Sequence, residues 1–258
     1  MNIIAFFAHP DDETMLAGGT LALLAQAGAR VDYLCATRGE GGEVGEPPIC
    51  SPEELGDVRE REMVCAVQNL GASSLTFLGY EDPRIGPDEQ LFPYTNDLTI
   101  LAGQVATSIR QFEADAVITH GSNGEYGHPA HVLTSQAATL AVRSFKENGP
   151  LLYTIQAAFP EHPKPRLANP DDPAHLVLDI TPALSRKEQA AMCHRTQHAL
   201  FVRRSSQKAG RPMSVPEVIM KTESLHRVHP PVDGDLDDPF ADMLRPWVIN
   251  IDCQFDKV

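Results

Sequence analysis

The residues with chemistry in this chain gather in two short runs. The first, Ala8-His9-Pro10-Asp11-Asp12-Glu13, sets one imidazole beside three carboxylates, directly after the apolar run Ile3 to Phe7. The second, His120-Gly121-Ser122-Asn123-Gly124-Glu125-Tyr126-Gly127-His128-Pro129-Ala130-His131, follows Ala116-Val117-Ile118-Thr119. Carboxylates this close repel one another unless a cation or a shared proton offsets them. A divalent metal is the simplest such cation. His9 and Asp12 are three apart, and so are His128 and His131. Two N/O donors from the first run and one from the second give a three-ligand site with an open position, the pattern of catalytic rather than structural zinc. Zinc brings the pKa of a bound water to about 7 and polarises a carbonyl. A carboxylate that is not a ligand then takes the water's proton, and a second imidazole protonates a leaving amine. Asp11 and His128 are the spare groups.

Something must carry both runs to one place. Ile3 to Phe7 is continuous and apolar, as in a strand covered on both faces. The helix after it sets Leu16, Thr20, Leu23, Leu24 and Ala27 on one face and ends at Gly28. A second strand, Val31 to Ala36, leads into the loop Thr37-Arg38-Gly39-Glu40-Gly41-Gly42-Glu43, whose glycines allow close backbone approach to a ligand. A helix over 57–70, a short strand over 75–78, a helix over 99–112, a strand over 116–119 and a helix over 129–145 follow. This βαβ alternation implies right-handed crossovers and a parallel sheet. The expected fold is α/β: a Rossmann-like, doubly wound, mostly parallel sheet with an additional C-terminal segment. Ligand sites in such sheets lie at the carboxyl ends of the strands, where both runs emerge. Strands near 151–157 and 176–179 flank a proline-rich loop. A helix is expected from Thr181-Pro182 to about His198. Residues 205–243 read as loops with one short helix near 215–222. The expected division is a catalytic α/β domain over 1–200 and an extension over 201–258 packed on it.

The chain has 258 residues and a formal net charge of -14. Phosphate binding needs clustered Lys and Arg, so this balance argues against nucleic acid or an anionic membrane as partner. No apolar run approaches the roughly 20 residues that span a bilayer, and the N-terminal run lacks the basic flank of a signal peptide. The five cysteines, Cys35, Cys50, Cys65, Cys193 and Cys253, form no CxxC pair. Neither a disulfide framework nor a thiolate zinc site is indicated. Cys35 and Cys65 fit apolar patterns as small core residues, and a reducing cytoplasmic location follows.

The paired motifs His9-Pro10-Asp11-Asp12-Glu13 and Gly127-His128-Pro129-Ala130-His131 resemble those of the LmbE-like or PIG-L family of zinc-dependent N-acetyl-sugar deacetylases, which includes the deacetylases of mycothiol and bacillithiol synthesis. The resemblance extends to Thr37-Arg38-Gly39-Glu40, Arg59-x-x-Glu62, Lys187 and His194-Arg195-Thr196-Gln197, over residues 1 to about 200. It implies that His9, Asp12 and His131 hold Zn2+, with Fe2+ as another divalent candidate. It implies Asp11 as general base, His128 as general acid, and Tyr126 as an aid to the oxyanion. Arg59, Glu40 and His194 would contact substrate. The implied partner is a small N-acetyl sugar or conjugate, and relatives are often homo-oligomers. One position departs: Ala130 stands where the family usually has Asp, which leaves the ligand set whole.

Plainer assignments compete. Asp11 or Asp12 as a helix cap accounts for one carboxylate, not three and a histidine. His128 and His131 alone would be ordinary histidines at a helix start. Arg59 serves equally as a partner for Glu62, and Tyr126 as a packed loop aromatic. His226 and His229 lack a partner pattern. Two further functions remain: a zinc amidase acting on a thiol conjugate or other non-sugar amide, and a nucleotide-binding module without turnover. Against the latter, no Gly-x-Gly-x-x-Gly follows the first strand, although Asp32 sits where a ribose-binding acid would.

Overall fold

The structure, a computed structural model, describes residues 1–249; Cys253 and the end of the expected extension lie outside them. Its centre is β1 (Asn2–Phe7), flanked by β2 (Arg30–Thr37) and β4 (Ala116–Thr119). Ile3, Ala5 and Phe7 pack into one core cluster and Ile4 and Phe6 into another, the two faces of a period-2 strand. Full burial of each large apolar side chain contributes about 1.5–3 kcal/mol. That anchoring fixes the place of the residues immediately after Phe7.

Helix α1 (Asp12–Gln26) joins β1 to β2, and α2 (Leu55–Leu70) joins β2 to β3 (Ser74–Tyr80). Helix α3 (Leu98–Gln111) precedes β4, and the tight turn α4 (Gly124–Gly127) precedes α5 (Pro129–Arg143). Then come β5 (Leu151–Ile155), a small side pair of β6 (Ala157–Ala158) with β7 (Asn169–Pro173), and β8 (Leu176–Asp179). Helices α6 (Leu184–Cys193), α7 (His198–Ala209) and α8 (Val215–Val218), strand β9 (Thr222–His229) and α9 (Pro239–Leu244) complete the order. The main sheet runs β3-β2-β1-β4-β5-β9-β8. Neighbours among β1 to β5 are parallel, whereas β9 is antiparallel to both β5 and β8. The expected doubly wound, mostly parallel sheet is therefore present. Winding reverses between β1 and β4, so their carboxyl ends flank the crevice where such sheets hold ligands. No helix among the described residues is long and apolar enough to cross a membrane.

The C-terminal part differs from the loops expected there. β9 lies inside the sheet, between β5 and β8, rather than on it. Its polar sequence concealed it: buried Glu223 accepts hydrogen bonds from the Gly19 and Thr20 amides and from Lys187. The helix expected to run to His198 breaks at His194 and restarts as α7. Cys65 is not a core residue but lies exposed on α2, in a disulfide with Cys193 at the end of α6. The cysteine spacing carried no sign of this pair, because the two are 128 residues apart. Cys35 is buried and free, as expected.

Candidate metal centre

The path from Phe7 to α1 makes the first half of the site. Asp11 has φ of 107°, in the left-handed region, where a non-glycine residue costs about 1–3 kcal/mol and needs support. Glu13 gives some: its Oε2 accepts the Asp11 amide at 2.9 Å, and Oε1 accepts the Thr14 hydroxyl and faces Nε2 of His194 at 3.0 Å. Arg59 gives the rest. Its guanidinium donates to the carbonyls of Pro10 and Gly39 and, at 3.1 Å, to Oδ2 of Asp11. A Cβ on Gly39 or Gly42 would strike that guanidinium, at 2.3 and 2.2 Å. Gly39 and Gly42 thus admit Arg59, while Gly41 and Gly42 also border the candidate cavity, where close approach to a ligand was expected.

His9 and Asp12 meet His131, on the first turn of α5, across the β1–β4 crevice. Nδ1 of His9 lies 3.2 Å from Oδ2 of Asp12 and 3.3 Å from Nε2 of His131, which is 3.4 Å from Oδ1 of Asp12. Ligand atoms bound to zinc at 2.0–2.1 Å with tetrahedral angles stand about 3.3–3.4 Å apart, so the two imidazole nitrogens fit such an ion, with the Asp12 carboxylate turning one oxygen towards each. The remaining ring nitrogens are held by carboxylates, as in many metal-binding histidines. Nε2 of His9 lies 3.2 Å from Oδ1 of Asp82, and Nδ1 of His131 lies 2.6 Å from Oε2 of Glu125. Two overlapping groups of possible ligands stand here, His9-His128-His131 and Asp12-His120-His131; both contain His131, and the set His9, Asp12 and His131 draws on both rather than matching either. In His120, however, Nε2 already accepts the Ala8 amide at 3.1 Å. That leaves Nδ1 to donate to Glu125 and makes His120 a brace rather than a ligand.

The titrations follow from the charges. Burial works against a charge on His9, but Asp82 and Asp12 outweigh it and push its pKa up to about 10. A proton can thus stand where a cation would. Burial raises Asp11 to about 7 against the pull of Arg59, with Asp12 adding to the rise. Burial, His131 and His9 press His128 down to about 3. For Glu125, burial opposes the charge, yet His120 and His131 hold the carboxyl down at about 2.

His9, Asp11, Asp12, Tyr126, His128 and His131 line one cavity of about 470 Å³, within the usual range for small-molecule sites. His128 stacks on His131 at 4.5 Å between ring centroids, and its Nδ1 accepts the Ala130 amide, so Nε2 faces outward. Tyr126 stands half exposed, edge-on to both rings.

Of the three expected substrate contacts, Arg59 borders the same cavity, where it is 3% exposed and holds Asp11 in place; the other two lie outside its lining. His194 is fully buried behind Glu13; its position comes from the break between α6 and α7. Glu40 lies in a neighbouring cleft, where it accepts the Asp82 amide and pairs with Arg38. Asp32 is likewise unavailable to a ribose, being 1% exposed and bound by Arg30 and Ser74. Sequence reasoning gave no role to Glu125, His120 or Asp82. Glu125 and His120 sit inside the second run without a spacing that marks them; Asp82 lies in a loop without a pattern.

Comparison with known proteins gives this geometry a family. The family described as PIG-L: GlcNAc-PI de-N-acetylase matches residues 4–142, which hold both halves of the site. The chain belongs to that family. It is 28% identical to a 1D-myo-inositol 2-acetamido-2-deoxy-alpha-D-glucopyranoside deacetylase of Kineococcus radiotolerans, over 91% of this chain and 79% of that one. It is 29% identical to the probable N-acetyl-alpha-D-glucosaminyl L-malate deacetylase 2 of Bacillus cereus, over 76% and 83%. Some other deacetylases of the inositol type are covered over only 46% to 56% of their length. Among solved structures, GalB, the 4-carboxy-2-hydroxymuconate hydratase of Pseudomonas putida, superposes with a TM-score of 0.60 at 23% identity, over 92% of this chain and 99% of that one. That likeness concerns the fold, which does not by itself decide the reaction.

Proposed function

We propose that this protein is a zinc-dependent hydrolase that removes the acetyl group from an N-acetylated amino sugar or its conjugate. One observation carries the proposal: Nδ1 of His9 and Nε2 of His131, from two distant turns, stand 3.3 Å apart with one oxygen of Asp12 at 3.2 Å from the first and the other at 3.4 Å from the second, beside a carboxylate that ligates nothing. His9, Asp12 and His131 hold the metal, and the names of the relatives supply the class of bond. The cation, when bound, polarises the amide carbonyl and acidifies water.

The chain's own residues do the rest. Asp11, fixed by Arg59 and the Glu13 brace, takes the proton of the attacking water on its free oxygen. Its pKa of about 7 suits a base that must give the proton up again. His128, neutral and with Nε2–H turned to the cavity, donates a hydrogen bond to the oxyanion, and the proton that Asp11 took from water passes to the departing amine, which breaks the C–N bond and leaves acetate. The half-exposed Tyr126 hydroxyl borders the position where negative charge develops on the carbonyl oxygen. Asp82 and Glu125 keep the two ligand imidazoles in the tautomers that bind a cation.

The test is acetate release from N-acetylglucosamine conjugates by zinc-loaded protein, after chelation, and after zinc is restored. Activity should vanish and return, and His9→Ala should fail to retain metal. Zinc-loaded protein that releases no acetate across the panel, while cleaving other amides, would transfer the site to the non-sugar amidase reading.

A further inference from the structure

A second opening reaches the same centre. A cavity of about 490 Å³ is bordered both by Asp11, Asp12, Tyr126 and His131 and by Lys164, Arg166 and Arg204. Among the described residues none of these three cations has a carboxylate within salt-bridge distance, although neighbouring Arg203 is held by Glu43 at 2.6 and 2.8 Å. The chain has 35 acidic against 21 basic side chains, so partners were plentiful. Lys164 and Arg166 come from the proline-rich loop before β7, and Arg204 comes from α7. Two separate segments thus bring like charges together, Lys164 half-buried and Arg166 and Arg204 open to solvent. Burial and the neighbouring Lys187 and Arg166 lower the Lys164 ammonium to about 8. Three cations without a carboxylate partner, brought to one cavity, offer an anionic ligand charge-assisted hydrogen bonds. Asp11, Asp12 and Glu89 line the same cavity and repel an anion, which leaves the three cations to hold it.

We infer that Lys164, Arg166 and Arg204 form an anion subsite for the part of the substrate beyond the acetamido sugar, which therefore carries a carboxylate or a phosphate. This rests on the deacetylase reading above and selects among its substrates. The anionic aglycone named for the malate relative fits the subsite, and the neutral inositol of the others leaves it unfilled.

The experiment compares three sugars on zinc-loaded protein: N-acetylglucosaminyl malate, N-acetylglucosamine 1-phosphate and N-acetylglucosaminyl inositol. At low ionic strength, kcat/KM for one or both anionic sugars should exceed the neutral one by about tenfold or more, equivalent to about 1.4 kcal/mol. Which of the two leads tells carboxylate from phosphate. Added salt should shrink the ratio. Lys164→Gln with Arg166→Gln and Arg204→Gln should collapse it towards one, while Lys164→Arg keeps it. Equal kcat/KM for all three sugars, or a ratio untouched by the triple substitution, overturns the inference. Calorimetric binding of the same sugars separates it from the deacetylase reading. Tighter binding of an anionic sugar without acetate release sinks the deacetylase and keeps the subsite. Equal binding constants sink the subsite.

Discussion

Glu125→Gln tests how the centre is built. Oε2 of Glu125 faces Nδ1 of His131 at 2.6 Å and Nδ1 of His120 at 3.0 Å, and Oε1 accepts the Gly121 amide at 2.8 Å. The residue is 2% exposed, so water cannot substitute for any partner. A glutamine keeps the shape but loses the charge and one acceptor. Whichever way the amide is turned, its NH2 meets at least one N–H donor. Hydrogen bonds to a buried charge are worth about 1.5–3 kcal/mol, and loss of a carboxylate behind a metal-binding histidine typically costs 10–100-fold in affinity. We expect zinc affinity to fall by about 10- to 100-fold, measured by competition with a chelator of known strength. At saturating zinc much of the activity should return. A circular dichroism melt checks that the variant folds, and Glu125→Asp, which keeps the charge at a shorter reach, should fall between the two. Zinc affinity within threefold of the parent in folded Glu125→Gln would refute the claim that Glu125 sets the His131 tautomer. The same carboxylate has a sign in stability. Its folded pKa of about 2 lies below the ordinary glutamate value of about 4.3. Its contribution is therefore present above pH 4.3 and lost as the pH falls towards 2.

Asp11→Ala should keep zinc and lose about 10²–10⁴-fold in kcat, and a fully active variant would remove Asp11 as base. In the parent, kcat should fall on the acid side, because the base must be ionised. That limb should lie at or below pH 7, since burial raises Asp11 to about 7 and a bound cation pulls it down. Zinc binding at neutral pH should release about one proton, because His9, raised to about 10 without metal, must bind it neutral. Calorimetry in buffers of different ionisation enthalpy counts that proton, and a count near zero would contradict the assignment. The Cys65–Cys193 link closes a loop of 128 residues. Chain-entropy reasoning bounds its contribution at about 5 kcal/mol, so Cys65→Ser should lower the melting temperature of oxidised protein. Equal melting of parent and variant under oxidising conditions would show that the link does not form.

The sequence by itself determined the succession of strands and helices up to β4 and the ligand candidates, while the order of the strands across the sheet came from the structure. The apolar run Ile3 to Phe7 could only be a covered strand, and a carboxylate-rich turn after it could only stand at the sheet's edge. Local pattern carries such information because a strand or helix announces its period within a few residues. Roles that depend on which distant atom lies opposite were not legible. Arg59 reads as a surface helix charge, and only the fold turns it under Asp11. His194 reads as one more helix residue until the α6–α7 break points it at Glu13. Strand β9 looked like loop because its buried Glu223 is satisfied by Lys187 and the amides of α1, which are far away in sequence. Cys65 and Cys193 were paired by the packing of α2 against α6. Periodicity fixes which face of an element turns inward, while the partner of a buried charge is chosen by whatever the other layer brings to it. That choice exists only once the layers have closed.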